Sequence, residues 1–355
     1  MSVDFDNLFD KPPYSLEKEE KEYVLLEYLR ELSLFHYENC VEYRKIIKAS
    51  GIDISAINEL RNVPFLPVRL FKDMELCSVP KDEVIKTMYS SGTTGKERSK
   101  IFLDKETASR QQKVMIKIVA DFIGSKRLPM LIIDSRDVLR DRTKLAVRGA
   151  AILGFSIAGT DRFFALDDEL NVDLEGIKGF LKKHADEKIL IFGFTSMIWQ
   201  YFYKTIADGE LGLSKAVLIH GGGWKKLISE QIDNNTYKLS LRKRFNIQEI
   251  YDYYGMVEQT GCIYMECKCG HLHVSNFSEI IVRRTSDFSV ADIGEEGLIQ
   301  VVSTIPKSYP GHSLLTEDKG VILGEDDCPC GRKGKYFKII GRIIKAEIRG
   351  CSDVY

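Results

Sequence analysis

Four short apolar runs, each stopping at a polar or glycine-rich turn, constrain this chain more than any other feature. They are "PMLIIDS" at 129–135, "KILIFGFTS" at 188–196, "KAVLIHGGGW" at 215–224 and "QEIYDYYGMVEQTG" at 248–261. Near-continuous apolar runs of this length, separated by polar stretches of helical length, read as strands buried on both faces of an α/β sheet. In such sheets ligands gather at the carboxyl ends of the strands. The last quarter changes character: "EIIVRR", "GLIQVVST" and "YFKIIGRIIKAEIRG" are rich in β-branched residues at short spacing and imply a second, more antiparallel unit. At 355 residues, 44% of them apolar, the chain exceeds the roughly 250–300 at which one core stops growing. The expected organisation is an α/β body over 1–260, a β-rich subdomain over 261–340 and a terminal segment over 341–355.

Before the first run, an acidic turn from Ser15 leads into Leu25, Tyr28, Leu29, Leu32 and Phe35. Their three-and-four spacing predicts one buried helical face, with the helix ending by Gly51. Charge is balanced, 51 Lys and Arg against 52 Asp and Glu, which argues against a basic footprint for nucleic acid. The opening "MSVDFDNLFDKPPYSLEKEEKEY" has no apolar core of a signal peptide, and no apolar run reaches the length of a membrane span. The expectation is a cytoplasmic chain without a membrane span. Eight cysteines in that setting read as thiols or metal ligands rather than disulfides.

Residues 89–104, "YSSGTTGKERSKIFLD", follow a strand-like segment and combine two glycines with a cluster of hydroxyls. Gly92 and Gly95 can take positive φ and let backbone N–H groups converge on an anion, while Ser90, Ser91, Thr93 and Thr94 add hydroxyl donors. The common nucleotide loop G-x-x-x-x-G-K-[ST] is not matched, because Ser90 stands five residues before Gly95 and Glu97 follows Lys96. On spacing alone the stretch is equally an ordinary Gly/Ser/Thr turn.

Three further segments recur in order with it. "YSSGTTGK" resembles the phosphate loop of acyl-adenylate-forming enzymes, "YYGMVEQTG" their Tyr-Gly-x-x-Glu motif, "LLTEDKG" their ribose motif, and "IGRIIKAEIRG" the Gly-Arg hinge that ends their large domain. Within that superfamily the chain resembles the acyl-protein synthetases, the LuxE family of long-chain-fatty-acid–luciferin-component ligases. The matching stretches are "LFHYENCVEYR", "VPFLPVRLFK", "SSGTTG", "HGGGWKK", "SYPGHSLLTEDKG" and the terminal "RGC". The resemblance implies the acyl-adenylate-forming large-domain fold with a smaller β-rich unit near its C-terminus. It also implies an AMP-forming acid–thiol ligase, which activates a carboxylic acid, of the fatty-acid class, with ATP and Mg²⁺. The acyl group then passes to a protein cysteine and on to an acyl-CoA reductase-like or acyl-carrier partner.

By motif match, Ser90, Ser91, Gly92, Thr93, Thr94 and Gly95 would cradle phosphate and Glu258 would help hold Mg²⁺. Tyr254 and Gly255 would lie by the adenine and reacting carboxylate, with Gly222 of "HGGGW" also at the nucleotide. Asp318 would bond the ribose hydroxyls and Arg342 would contact ribose or phosphate. The phosphate loop continues "GKERSK", which leaves Lys96, Arg98 and Lys100 as alternative phosphate cations. The sequence ends at Tyr355, shortly after Arg342, so the expected fold lacks the usual C-terminal domain and its catalytic lysine. Lys225 of "GGGWKK" is either a substitute cation or a solvated lysine. Cys351 of "EIRGCSDVY" matches the acyl-accepting cysteine of the family, and Arg349 beside it would favour the thiolate.

"ECKCGHLH" and "DDCPCGRKG" place Cys267, Cys269, His271, His273, Cys328 and Cys330 in two short knuckles. Two separated Cys-x-Cys pairs, each followed by glycine, fit a tetrahedral zinc site joining distant segments. Adenylation needs no thiolate, so such a site would be structural; the ligand candidates are Cys267, Cys269, His273, Cys328 and Cys330. Two other readings stay open: a phenylacetate–CoA-type ligase that passes the acyl group to a small thiol or carrier pantetheine, and a non-catalytic nucleotide-binding assembly subunit. "FGFTSMIWQYF" suits an acyl pocket and plain core equally.

Overall fold

The computed structural model describes residues 5–90, 98–139 and 147–343. Ser91, Gly92, Thr93, Thr94, Gly95, Lys96 and Cys351 therefore lie outside the described residues, as does the side chain of Lys225. The chain divides into two compact units, Met115–Tyr254 and a second made of Met1–Val114 with Gly255–Tyr355.

In the Met115–Tyr254 unit the apolar runs form parallel strands. Their order is Gly159–Leu166, Leu128–Ser135, Ile189–Phe194, Ala216–Gly221 and Glu249–Tyr254. Leu128–Ser135, Ile189–Phe194 and Ala216–Gly221 are buried at every residue, which is why they read as continuous apolar runs. Leu131, Ile133, Ile191 and Leu218 pack against Ile177 and Phe180 of helix Leu174–Lys183 and against Leu241 and Phe245 of helix Asn234–Phe245. Phe192, facing the other way, stacks on Phe155 of helix Val147–Phe155 at 4.4 Å. Both helices in the first group are capped by aspartate: Asp173 accepts from the Gly176 N–H and Asp233 from the Thr236 N–H. The first strand in sequence lies between its two successors, so the order reverses at Leu128–Ser135 and opens a crevice at the carboxyl ends there.

The other unit is built on an antiparallel sheet. Its strands run Leu272–His273, Lys335–Arg342, Ser313–Glu325, Glu296–Ser303 and Ser278–Arg283, and Leu66–Pro67 adds to Ser313–Glu325 in parallel. Helix Lys18–Asn39 ties onto this sheet through polar side chains. Lys21 pairs with Glu279 at 3.5 Å, Ser33 bonds His312 at 3.0 Å, and His36 bonds Ser78 at 2.8 Å and accompanies the Pro306 carbonyl at 3.2 Å. These links place the first 114 residues with the C-terminal quarter, a partition that differs from a continuous 1–260 body.

The single helix expected up to Gly51 is two. Lys18–Asn39 stops at Cys40, which is extended (φ −114°, ψ 109°), and Val41–Ala49 follows. The Cys40 N–H closes the first helix on the His36 carbonyl, and its own carbonyl accepts from the Arg44 N–H to start the next. Leu25, Tyr28, Leu29 and Leu32 are buried as the spacing predicts, whereas Phe35 is only half-buried and His36 takes the inner position. Among the described residues no helix is long and apolar enough to cross a membrane.

Candidate functional site

Two paired strands flank the phosphate-loop motif in the sequence. Lys86–Tyr89 pairs antiparallel with Lys100–Leu103, from Lys86 opposite Leu103 to Tyr89 opposite Lys100. Beyond that pair the Ser90 N–H donates to the Ser99 carbonyl at 3.1 Å, and the Ser99 N–H donates to Ser90 Oγ at 2.9 Å. Ser90 and Ser99 are thus bonded to each other twice. Of the three alternative cations, Lys100 has its ammonium 2.9 Å from Glu75, whose carboxylate it holds below the ordinary range.

Glu258 sits in the short turn Val257–Gln259 and is 7% exposed. The turn is held from several sides: Gln259 Nε2 donates to the carbonyls of Val301 (3.0 Å) and Gly311 (2.8 Å), and the Tyr309 hydroxyl donates to the Glu258 carbonyl at 2.9 Å. Burial pushes the Glu258 carboxyl up, while the Ser99 hydroxyl, Lys72 and Arg342 pull it back. A buried acid in this state favours a cation at its oxygens.

Asp318 lies within the strand Ser313–Glu325 rather than in a turn, directly opposite Arg342 at the end of Lys335–Arg342. Arg342 Nε donates to Asp318 Oδ1 at 3.0 Å. Thr316 supports this point of the strand: its hydroxyl donates to the Ile299 carbonyl at 2.8 Å and accepts from the Asp318 N–H at 3.1 Å. Ser99, Lys72 and Arg342 thus act on the buried Glu258 carboxyl, and Arg342 in turn is bonded to Asp318.

A family model described as acyl-protein synthetase, LuxE, matches residues 1–355. The chain belongs to the LuxE acyl-protein synthetase family. It is 22% identical over 363 residues to a long-chain-fatty-acid–luciferin-component ligase of Vibrio harveyi, an alignment covering 99% of this chain and 92% of that protein. With the ligase of the same description from Aliivibrio fischeri it shares 23% over 359 residues, covering 98% and 92%. Among solved structures it resembles 2-hydroxyisobutyryl-CoA ligase in an open conformation in complex with 2-HIB-AMP and CoA. There the TM-score is 0.71 at 14% identity, covering 95% of this chain and 78% of that one. The fold is thus that of the adenylate-forming ligases.

Other family-motif residues fall in the Met115–Tyr254 unit or at its border. Tyr254 ends the strand Glu249–Tyr254 and Gly255 follows it. Gly222, at φ +79°, makes the turn after Ala216–Gly221, where an added Cβ would come within 3.1 Å of the Phe194 ring. Lys225 opens the helical turn Lys225–Glu230. Sequence reasoning missed the polar groups at the strand ends of this LuxE-family chain. Asp134, 1% exposed at the end of the first strand, receives the Arg148 guanidinium, with Arg148 Nε at 3.0 Å. His220 Nδ1 meets Thr195 Oγ1 at 3.0 Å, and that hydroxyl also lies 3.2 Å from the Gly221 carbonyl. The signal was their place at the carboxyl ends of buried runs. The "FGFTSMIWQYF" stretch supplies core through Phe192, Phe194, Met197, Ile198 and Phe202, with Trp199 and Tyr201 only partly buried.

The two cysteine knuckles also meet. One donor atom from each of Cys267, His273, Cys328 and Cys330 lies within 4.8 Å of the other three, and Cys269 falls outside that group. His271 Nδ1 approaches Cys328 Sγ from outside it at 3.3 Å.

Proposed function

We propose that this LuxE-family protein activates a carboxylic acid with ATP and transfers the acyl group to a protein thiol, Cys351 in its own terminal segment being the first acceptor. The observation that carries the reading is the buried acid Glu258, whose carboxyl feels Ser99, Lys72 and Arg342, together with the Arg342–Asp318 pair at 3.0 Å. A carboxylate is a poor electrophile. Attack of its oxygen on the α-phosphorus of ATP breaks the bond to pyrophosphate and leaves an acyl adenylate. The Cys351 thiolate then attacks the carbonyl carbon, the C–O bond to AMP breaks, and a thioester forms.

Such a reaction is helped chiefly by positioning and by neutralising charge. Ser91, Thr93, Thr94 and the glycines 92 and 95 would face the phosphates, with Ser90 and Ser99 bonded to each other on either side of them in the sequence. Mg²⁺, held by Glu258 and the triphosphate oxygens, would supply the charge that stabilises the leaving pyrophosphate. Asp318 would accept from the ribose hydroxyls, Arg342 would set its carboxylate, and Tyr254, Gly255 and Gly222 would border the adenine and acyl carboxylate. Lys225 is the candidate cation for the adenylation step. The names of the luminous-bacterial relatives support a long-chain fatty acid as substrate. An acyl reductase or acyl carrier would take the group onward.

The test is ATP–pyrophosphate exchange across a panel of carboxylic acids, followed by acyl labelling of Cys351→Ser. Acid-dependent exchange that survives in the variant, with loss of the hydroxylamine-sensitive label on the protein, is the expected result. A label kept in full removes Cys351 as acceptor. Exchange that proceeds only onward to CoA or a carrier pantetheine transfers the assignment to a thioester-forming ligase, and no exchange with any acid leaves a nucleotide-binding subunit.

A further inference from the structure

The geometry points to a closed three-cysteine, one-histidine zinc site, Cys267, His273, Cys328 and Cys330, which locks the hairpin carrying Asp318 and Arg342. The two knuckles are built alike. In Cys267–Gly270 the Gly270 N–H donates to the Cys267 carbonyl at 2.9 Å, and in Cys328–Gly331 the Gly331 N–H donates to the Cys328 carbonyl at 2.9 Å. Both glycines are left-handed, at φ +80° and +88°. Each turn bends the chain so that its first sulfur points inward. The Cys269 N–H is directed at Cys267 Sγ at 3.3 Å.

Likeness of the two turns alone would give a four-cysteine site. The register of the sheet decides otherwise. His273 is on the strand Leu272–His273, opposite Tyr336, and this places its Nε2 3.3 Å from Cys330 Sγ. Cys267 Sγ and Cys328 Sγ stand 4.0 Å apart. A tetrahedron with Zn–S near 2.3 Å and Zn–N near 2.0–2.1 Å has edges of about 3.5–3.8 Å, so these separations bracket its dimensions. They are far too long for a disulfide, whose sulfurs lie about 2.05 Å apart. Sulfur-rich tetrahedral donors select zinc over oxygen-seeking cations. Four protein ligands leave no open position for substrate, so the ion is structural.

What it holds is specific. Cys328 and Cys330 lie in the connection between the strands Ser313–Glu325 and Lys335–Arg342, and His273 is on the strand beside the second of them. That hairpin shifts register twice, between Lys319 and Gly320 and between Ile322 and Gly324. A slip of one residue would carry Arg342 away from Asp318 and onto the other face. Zinc at the turn fixes the alignment at the far end.

Metal analysis of the full chain, purified without chelator, tests this independently of any activity. About one zinc per chain is expected, tetrahedral cobalt–thiolate absorption after exchange with Co²⁺, and loss of both in His273→Ala and Cys330→Ser. Cys269→Ser and His271→Ala should keep the metal. Should a ligand variant fail to fold, titrating the wild-type thiols with a mercurial while zinc release is followed gives the same stoichiometry. Metal-free wild-type protein overturns the site, and zinc retained by His273→Ala but lost from Cys269→Ser overturns this ligand set in favour of four cysteines.

Discussion

Asp318 and Arg342, drawn from two motifs 24 residues apart, face each other across adjacent antiparallel strands with Arg342 Nε 3.0 Å from Asp318 Oδ1. Arg342 remains mostly exposed and Asp318 is largely covered. An ion pair with one partner in solvent contributes about 0–1 kcal/mol to stability, and on the proposed reading the pair serves to position the ribose. Asp318→Asn and Arg342→Ala should each shift the thermal midpoint little. Asp318→Asn should also raise the KM for ATP by roughly 10–100-fold, the equivalent of a lost charged hydrogen bond worth about 1.5–3 kcal/mol. Pyrophosphate-release kinetics beside a thermal melt make the comparison; unchanged KM with a large drop in midpoint would make the pair purely structural.

The cluster that joins the N-terminal helix to the sheet works in the opposite sense. Lys21 and Glu279 are each 1% exposed, and Glu279 lies 3.5 Å from both Lys21 and Lys335. Burial raises the Glu279 carboxyl, but the two ammonium groups more than offset it and hold it below its ordinary range. Glu279→Gln leaves Lys21 buried without its carboxylate and should cost about 3–5 kcal/mol. Lys335→Met, which removes the more accessible partner, should cost less. Urea unfolding of the two variants decides it, and equal losses would mean that Lys21 finds compensation elsewhere.

How far the sequence reveals this molecule depends on which kind of contact is in play. The parallel strands were legible because burial on both faces forces uninterrupted apolar runs, as at Leu128–Ser135. Glu258, Asp318 and Arg342 stand out in the sequence only through recurring motifs, and their pairing across the sheet, Asp318 opposite Arg342, comes from strand register. The break at Cys40 was not, because Leu32, His36, Cys40, Tyr43 and Ile47 continue the inward-facing rhythm through it. Nor was the docking of the N-terminal helix on the C-terminal sheet, since its linking pairs, Lys21 with Glu279 and Ser33 with His312, are polar and hydropathy is blind to them. The cysteine spacing pointed to the two knuckles, but only strand register brings His273, and not Cys269, into the cluster with Cys267, Cys328 and Cys330.

Two buried imidazoles make stability depend on pH. His36 and His312 are fully buried and stacked at 4.8 Å, with Tyr43 edge-on to both, His36 against Ser78 and the Pro306 carbonyl, and His312 against Ser33. Burial lowers both, to about 3 for His312, and His312 lowers His36 further. With the folded value below the unfolded value of about 6.5, the unfolded chain takes up protons first as pH falls. Stability is therefore complete above about 6.5 and declines below it toward the folded values. By pH 5 His312 should have removed about 2 kcal/mol, at about 1.4 kcal/mol per pH unit, and His36 adds to the loss in the same direction. Urea unfolding at pH 7.5 and pH 5 should show the decline, and His312→Asn should flatten it; an unchanged slope would mean that His312 does not enter the fold neutral.

The turn that presents Glu258 depends on a glycine behind it. Gly261 has φ +94°, and a Cβ built there would lie 2.6 Å from Gln111 Cα and 2.8 Å from the Gln111 carbonyl oxygen. Both atoms belong to the backbone of helix Lys105–Ile123, so neither can swing aside as a flexible side chain would. Gly261→Ala should combine backbone strain of about 1–3 kcal/mol with overpacking of about 1–3 kcal/mol. Gly209, at φ +79° with nothing within 4 Å of the added atom, supplies the control, since Gly209→Ala carries the strain alone. The Gly261 variant should therefore unfold at lower urea than the Gly209 variant. It should also lose adenylation, because relief of the clash moves the Val257–Gln259 turn and with it the Glu258 carboxylate. Equal midpoints for the two variants would show that the helix yields, and the close approach of Gly261 to Gln111 would then have no part in setting the site.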